Sequence, residues 1–350
     1  METDRRRAPA APAGCAGVTF RPRLRLCVAL MAQHRRWVAG AVFAAVTLLA
    51  CLLLGRLLTG SSWPLAHASL LLVAAAGVCY LVSFVARARG WRRLFPRDEC
   101  PGQARCLASV GAAAASGIVL PFRLDYLIKI GTLRRLGGIR VSFEAIALSI
   151  ISLGMVDAVA MLPLSISATA TSSADLRGPL LVVVAFGIGC CILLLTSASL
   201  VRLPLLRRSR RLGTVVDHVS AHKTTAGRRS AGIAALYLLA CWTARALGTV
   251  LLLSALGLRF SPTIALCVIC LSAAAGVVPI TAGGLVVSVG ATAAILLTLG
   301  VGKDIAINFS LASGLLITSS ATLAALCGAA LSIATLALAR RRAAAHVGVA

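Results

Sequence analysis

Six stretches of this chain, at about 38–58, 65–86, 143–165, 178–200, 231–256 and 305–338, run for roughly twenty residues or more with almost no charge. At a rise of 1.5 Å per residue, a helix of that length crosses a hydrocarbon core of about 30 Å. Backbone amides meet no water there, so continuous apolar runs must become helices that satisfy their own hydrogen bonds. Composition agrees, with 59% hydrophobic and 13% charged residues and a mean hydropathy of +0.95, outside the range of soluble domains. The expected fold class is an all-α integral membrane protein with about six full transmembrane helices.

Two further apolar stretches, near 107–120 and 263–300, are interrupted. One carries Ala115-Ser116-Gly117-Ile118-Val119-Leu120-Pro121 and the other Ala274-Ala275-Gly276-Val277-Val278-Pro279. Proline removes a donor and ends a helix, so both stretches read as re-entrant or broken helical hairpins. Beyond Pro121 come Arg123 and Asp125, and beyond Pro279 come Thr281, suited to cap a helix, and the pair Gly283 and Gly284. A helix restarting at either place points unpaired N–H groups and a positive dipole end at its surroundings, and glycine lets a ligand approach the backbone. Such ends suit phosphate or carboxylate, so Pro121, Arg123, Asp125, Pro279, Thr281, Gly283 and Gly284 are expected to line a site for an anionic headgroup. The competing reading is a pair of proline kinks with no ligand.

Charge sets orientation. Thirty of the 35 Lys and Arg residues fall in four segments: the arm to Arg36, Arg87 to Arg140, Arg202 to Arg229, and Arg340–Arg342. Short basic loops stay cytoplasmic, so both termini are expected inside, and the two interrupted stretches enter from opposite faces as an inverted repeat. The expected organisation is a basic, disordered cytoplasmic arm (1–36), one polytopic transmembrane domain (37–339) and a basic cytoplasmic tail (340–350), with translation starting at Met1 or Met31. The net charge of +25 flanks spans rather than forming one soluble basic face, which argues for anionic lipid and against nucleic acid. Ala- and Arg-rich usage suits a high-GC bacterial genome, hence a bacterial inner membrane.

Charged residues within or beside the apolar runs need partners or water. They are Asp125, Glu144, Asp157 and Arg245. Arg245 is either a phosphate clamp or the salt-bridge partner of Asp157. Asp157 is either a proton or cation coupling site or the other half of that bridge. Glu144 is expected to contact a helix N-terminus or to snorkel, and Arg123 and Lys129 to anchor an amphipathic helix at the interface. Asn308 is expected to hydrogen-bond across helices. Cys267 and Cys270 lie mid-run and read as packing residues. Cys100 and Cys106 face a reducing compartment, and His218 and His222 read as loop residues. No cofactor or metal is expected.

Leu120-Pro121-Phe122-Arg123-Leu124-Asp125, then Arg134-Arg135-Leu136-Gly137, then Asp157 after an apolar run, resembles the flippase-like transmembrane domain family that includes the membrane half of lysylphosphatidylglycerol synthetases. Pro279-Ile280-Thr281-Ala282-Gly283-Gly284-Leu285-Val286-Val287-Ser288-Val289 is similar to its second signature, with Val286 in place of a glycine and Val289 in place of a glutamate. The resemblance implies a translocator of lipid or lipid-linked sugar. Its expected cargo is an anionic phospholipid or a polyprenyl-linked lipid, held between the two helix starts with Arg123 and Arg245 as cationic contacts. No aminoacyl-transfer domain is expected after the last span and no catalytic constellation is visible, so the chain is not expected to be an enzyme. The alternative is a non-catalytic membrane scaffold or regulator of envelope lipid or glycan enzymes, acting as a homo-oligomer or with such an enzyme as partner.

Overall fold

The computed structural model describes residues 68–117, 124–136, 141–200, 225–258, 261–275 and 284–347. The chain divides into two units, Met1–Val46 and Thr47–Ala350, and all described residues belong to the second. Among them there is no strand. The helices are α1 (Leu70–Arg92), α2 (Gln103–Ser116), α3 (Asp125–Arg135), α4 (Phe143–Thr171), α5 (Ala174–Leu200), α6 (Thr225–Ala255), α7 (Pro262–Ala275), α8 (Gly284–Thr298) and α9 (Lys303–Val347). Five segments are long and apolar enough to cross a membrane: Leu70–Arg92, Phe143–Thr171, Ala174–Thr196, Arg229–Ala255 and Lys303–Leu338. The protein is therefore an all-α integral membrane protein. The expected span at 38–58, the basic arm and His218 and His222 lie outside the described residues.

Helix ends follow local chemistry. Gly257 and Gly300 adopt φ of 86° and 78°, a left-handed conformation that only glycine reaches at little cost. Beyond each, Leu258 N–H bonds to Leu253 O and Val301 N–H to Leu296 O, which satisfies carbonyls at the ends of α6 and α8. At the start of α4, Ser142 Oγ accepts from Ala145 N–H. Glu99 in turn accepts from both the N–H and the hydroxyl of Ser142, at 2.9 and 2.8 Å. The α9 helix runs unbroken through Gly314, and its length beyond one crossing continues the helix to Val347.

The interrupted stretches form pairs of short helices. In the first, Ser109 Oγ of α2 donates to Lys129 O of α3 at 2.6 Å, and Gly117 lies against Asp125, so α3 folds back antiparallel on α2. In the second, α7 and α8 are joined by a 3.4 Å contact between the hydroxyls of Ser272 and Thr292. The 14-residue α2 and α7 and the 15-residue α8 are all shorter than a bilayer crossing.

Apolar side chains face outward as freely as inward. Val182 and Leu195 on α5 are 69% and 75% exposed, as suits helices whose outer solvent is hydrocarbon. Helix association in such a solvent depends on close packing rather than water exclusion, and small residues mark the contacts. A Cβ on Gly111 would stand 2.6 Å from Ala321 O and 2.5 Å from Ala325 N. One on Gly328 would stand 2.4 Å from Ala108 N and 2.7 Å from Ala104 O. Thus α2 and α9 cross backbone to backbone. Gly90 meets Ala234 O, and Gly248 meets Ala76 O, along the antiparallel pair α1 and α6.

We expect Gly111→Val or Gly328→Val to force α2 from α9 and cost about 1–3 kcal/mol. Gly131→Ala, which enters open space, should change little. Thermal midpoints in detergent check this; equal midpoints for all three variants would contradict the crossing.

Candidate functional site

Two of the apolar clusters in the described region flank the site. One gathers Phe84, Trp91, Leu107, Leu133, Ile146 and Leu238; the other gathers Tyr80, Leu253, Val268, Leu296 and Phe309. Along α1 the residues Tyr80, Ser83, Phe84, Arg87 and Trp91 recur at helical spacing, so they share one face. That face turns toward α4 and α6 and carries a polar seam between apolar walls.

At the centre is Asp157 of α4. Arg87 Nη2 donates to its Oδ2 at 2.6 Å, and Trp242 Nε1 of α6 donates to its Oδ1 at 2.7 Å. The two side chains of the ion pair are 21% and 14% exposed. A carboxylate so placed needs strong donors on both oxygens, and two helices, α1 and α6, supply them. One turn along α6, the Arg245 guanidinium lies 5.1 Å from the Trp242 ring and 5.4 Å from that of Phe84, with its Nε 3.3 Å from Ser83 Oγ. Further along, the hydroxyls of Tyr80 and Thr249 meet at 3.2 Å. Toward the other end, Trp91 Nε1 donates to Ser149 Oγ at 3.0 Å, and Lys129 Nζ sits 4.2 Å from the Trp91 ring.

Two expectations are corrected. Asp157 pairs with Arg87, not with Arg245, because the face of α1 that carries Phe84 and Trp91 also aims Arg87 into α4. Arg245 is instead held between aromatic faces. Lys129 is not an interfacial anchor. It is 6% exposed, since the return of α3 along α2 presses it onto Trp91.

Asp125 opens α3, beside Gly117 at the end of α2. Glu144 is exposed in the first turn of α4, where the helix dipole favours it. Gly284 opens α8, whereas Pro121, Arg123, Pro279, Thr281 and Gly283 lie outside the described residues. Of the expected site residues, the structure therefore brings Asp157 and Arg245 to one seam. Asn308 Oδ1 is buried with no partner among the described residues. Sequence reading missed Arg87, Trp242, Trp91 and the burial of Lys129. The helical spacing of Arg87 with Trp91 on α1 and of Trp242 with Arg245 on α6 is the signal that could have found all but the burial of Lys129.

Lys129 lies outside the spans. Burial, and then the positive Arg87, push its ammonium down to about 7, against the weaker pull of Asp157 and Asp125. Burial likewise pushes the Cys106 thiol of α2 up to about 12, which keeps it protonated.

A family model described as the lysylphosphatidylglycerol synthase TM region matches residues 36–325. No curated protein and no solved structure matches the chain.

Two outcomes follow from this geometry. Asp157→Asn leaves Arg87 charged and unpaired, and should cost about 3–5 kcal/mol, with the double change Arg87→Met, Asp157→Leu costing less. Thermal unfolding of the three proteins measures the difference, and equal losses for the single and the double variant would contradict the pairing. For Lys129, the unfolded chain holds its proton up to about 10.5 and the folded chain only to about 7. Between those values the unfolded state binds more protons, so stability should rise with pH across that window and stay flat below it. The thermal midpoint followed from pH about 6 to about 10 should show this slope, and Lys129→Met should remove it.

Proposed function

Because the chain belongs to the lysylphosphatidylglycerol synthase TM-region family, we propose that it is a multi-pass translocator that moves a lipid or lipid-linked sugar by its anionic headgroup. The observation that carries this reading is the seam itself: among the described residues, Arg87, Arg245 and Lys129 stand against two carboxylates, Asp157 and Asp125, with helices around them whose outer faces are apolar. Cations in such a place are held for an anion, and arginine forks suit phosphate. Aromatic faces behind each cation pre-position it without neutralising it.

In this reading the headgroup enters from the basic end of α1, near Arg92 and Lys129, and advances along the seam past Arg87 to Arg245 while its chains stay in hydrocarbon. The restarting helix ends beyond Pro121 and Pro279 would add amide donors to the same path. The protein would sit in a bacterial inner membrane with both termini cytoplasmic, and would carry out no covalent chemistry.

A second reading has one observation in its favour. Both oxygens of Asp157 are already satisfied, which is what a purely structural tie requires. On that reading the protein is a non-catalytic scaffold or regulator of envelope lipid or glycan enzymes.

Reconstitution separates the two. Fluorescent anionic lipids should change leaflet faster in proteoliposomes than in protein-free vesicles, and Arg245→Ala should slow them about tenfold or more. Rates equal to protein-free vesicles for every headgroup would sink the transport reading. Full function in cells after Arg245→Ala with Asp157→Asn would favour the scaffold.

A further inference from the structure

The three cations meet α1 at successive turns: Arg245 over Phe84, then Arg87 itself, then Lys129 over Trp91. Phe84 to Trp91 is seven residues, about 10 Å of helix. Arg87 is committed to Asp157. Among the described residues, neither Arg245 nor Lys129 is ion-paired with a carboxylate. One phosphate group is too small to meet both of these cations, which stand at opposite ends of the run.

Lys129 is the more unusual of the two. Its side chain is 6% exposed and rests on an aromatic face, and the hydrogen bond it receives from Ser109 goes to its backbone carbonyl, not its amine. A buried ammonium of this kind is costly without a counter-charge. The groups that act on it are Arg87 from α1, Asp157 from α4, Asp125 from its own helix and the Cys106 thiol from α2. The two carboxylates do not outweigh burial and Arg87, and the amine is held near neutrality at about 7. An incoming anion at this end supplies what the protein does not, and draws a proton onto Lys129 as it binds.

We propose that the seam selects a lipid whose headgroup carries two phosphates joined by a short linker, with Arg245 holding one phosphate and Lys129 reading the other. This rests on the seam being a headgroup site. Two sources share the chemistry: a phospholipid with two phosphodiesters, and a polyprenyl lipid with a diphosphate.

The test is binding to the purified full chain in phosphatidylcholine nanodiscs doped with one lipid at a time: cardiolipin, a polyprenyl diphosphate, phosphatidylglycerol or phosphatidic acid. At least one two-phosphate lipid should bind about tenfold or more tighter than both single-phosphate lipids, and which one does so names the source. Lys129→Gln should lose most of that advantage, with a smaller loss for phosphatidylglycerol, and Lys129→Arg should keep it. Should Lys129→Gln fail to fold, the unmodified protein serves. Raising pH from about 7 to about 10 should narrow the cardiolipin advantage as the amine loses its proton while phosphodiesters keep their charge. A pH-independent advantage would overturn the role of Lys129. Phosphatidylglycerol or phosphatidic acid binding as tightly as both two-phosphate lipids would overturn the selectivity and leave the headgroup site standing. If no anionic lipid binds above the phosphatidylcholine background, the headgroup site itself is wrong.

Discussion

Asp157 is a carboxylate in the interior of an apolar bundle, and its needs fix the arrangement around it. An ionised acid there is tolerated only when each oxygen has a strong donor. One donor comes from Arg87 on α1 and the other from the indole of Trp242 on α6. Dispersion packing in lipid has little directional preference, so it leaves helix rotation loosely defined. Two charge-assisted bonds to one carboxylate define it closely. The face of α1 that meets Asp157 also carries Phe84 and Trp91, so the position of Arg245, which rests on Phe84, and of Lys129, which rests on Trp91, follows from the same constraint.

The spanning helices were legible because long uncharged runs have one structural outcome in a bilayer. The stops at Gly257 and Gly300 fall where a glycine follows the last apolar turn, as helix-end chemistry predicts. The unbroken course of α9 was less legible. Gly314 sits inside that run without breaking it, since an interior glycine packed among helices need not end one. The seam was half legible. Asp157 and Arg245 stand out as charges within apolar runs, but Arg87 lies near the basic end of its helix and reads as one more topology-setting charge. Lys129 was misread because the chain's return from α2 to α3 decides its burial, and that contact is invisible to any local window.

Hydrophobicity alone could not separate lipid-facing from protein-facing sides, since both are apolar. On α1, Val78 and Val82 are exposed while Tyr80 and Phe84 are buried, and no polarity contrast distinguishes the pairs. Residue size carries more information. Gly111 and Gly328 sit where two backbones touch, and Gly90 and Gly248 where α1 and α6 approach. Aromatic rings, by contrast, collect where cations must be held in a dry interior without being neutralised.

The length of α9 bears on how the two short-helix pairs can move. Near Phe309 it packs in the same cluster as Leu296 of α8, and near Ala325 it is clamped on Gly111 of α2. Sixteen residues, about 24 Å of continuous helix, separate those grips. An α-helix without proline or a π-bulge is a stiff shaft over that distance. A tilt imposed at one pair is therefore delivered to the other as a lever delivers it, and the two act as one mechanical unit.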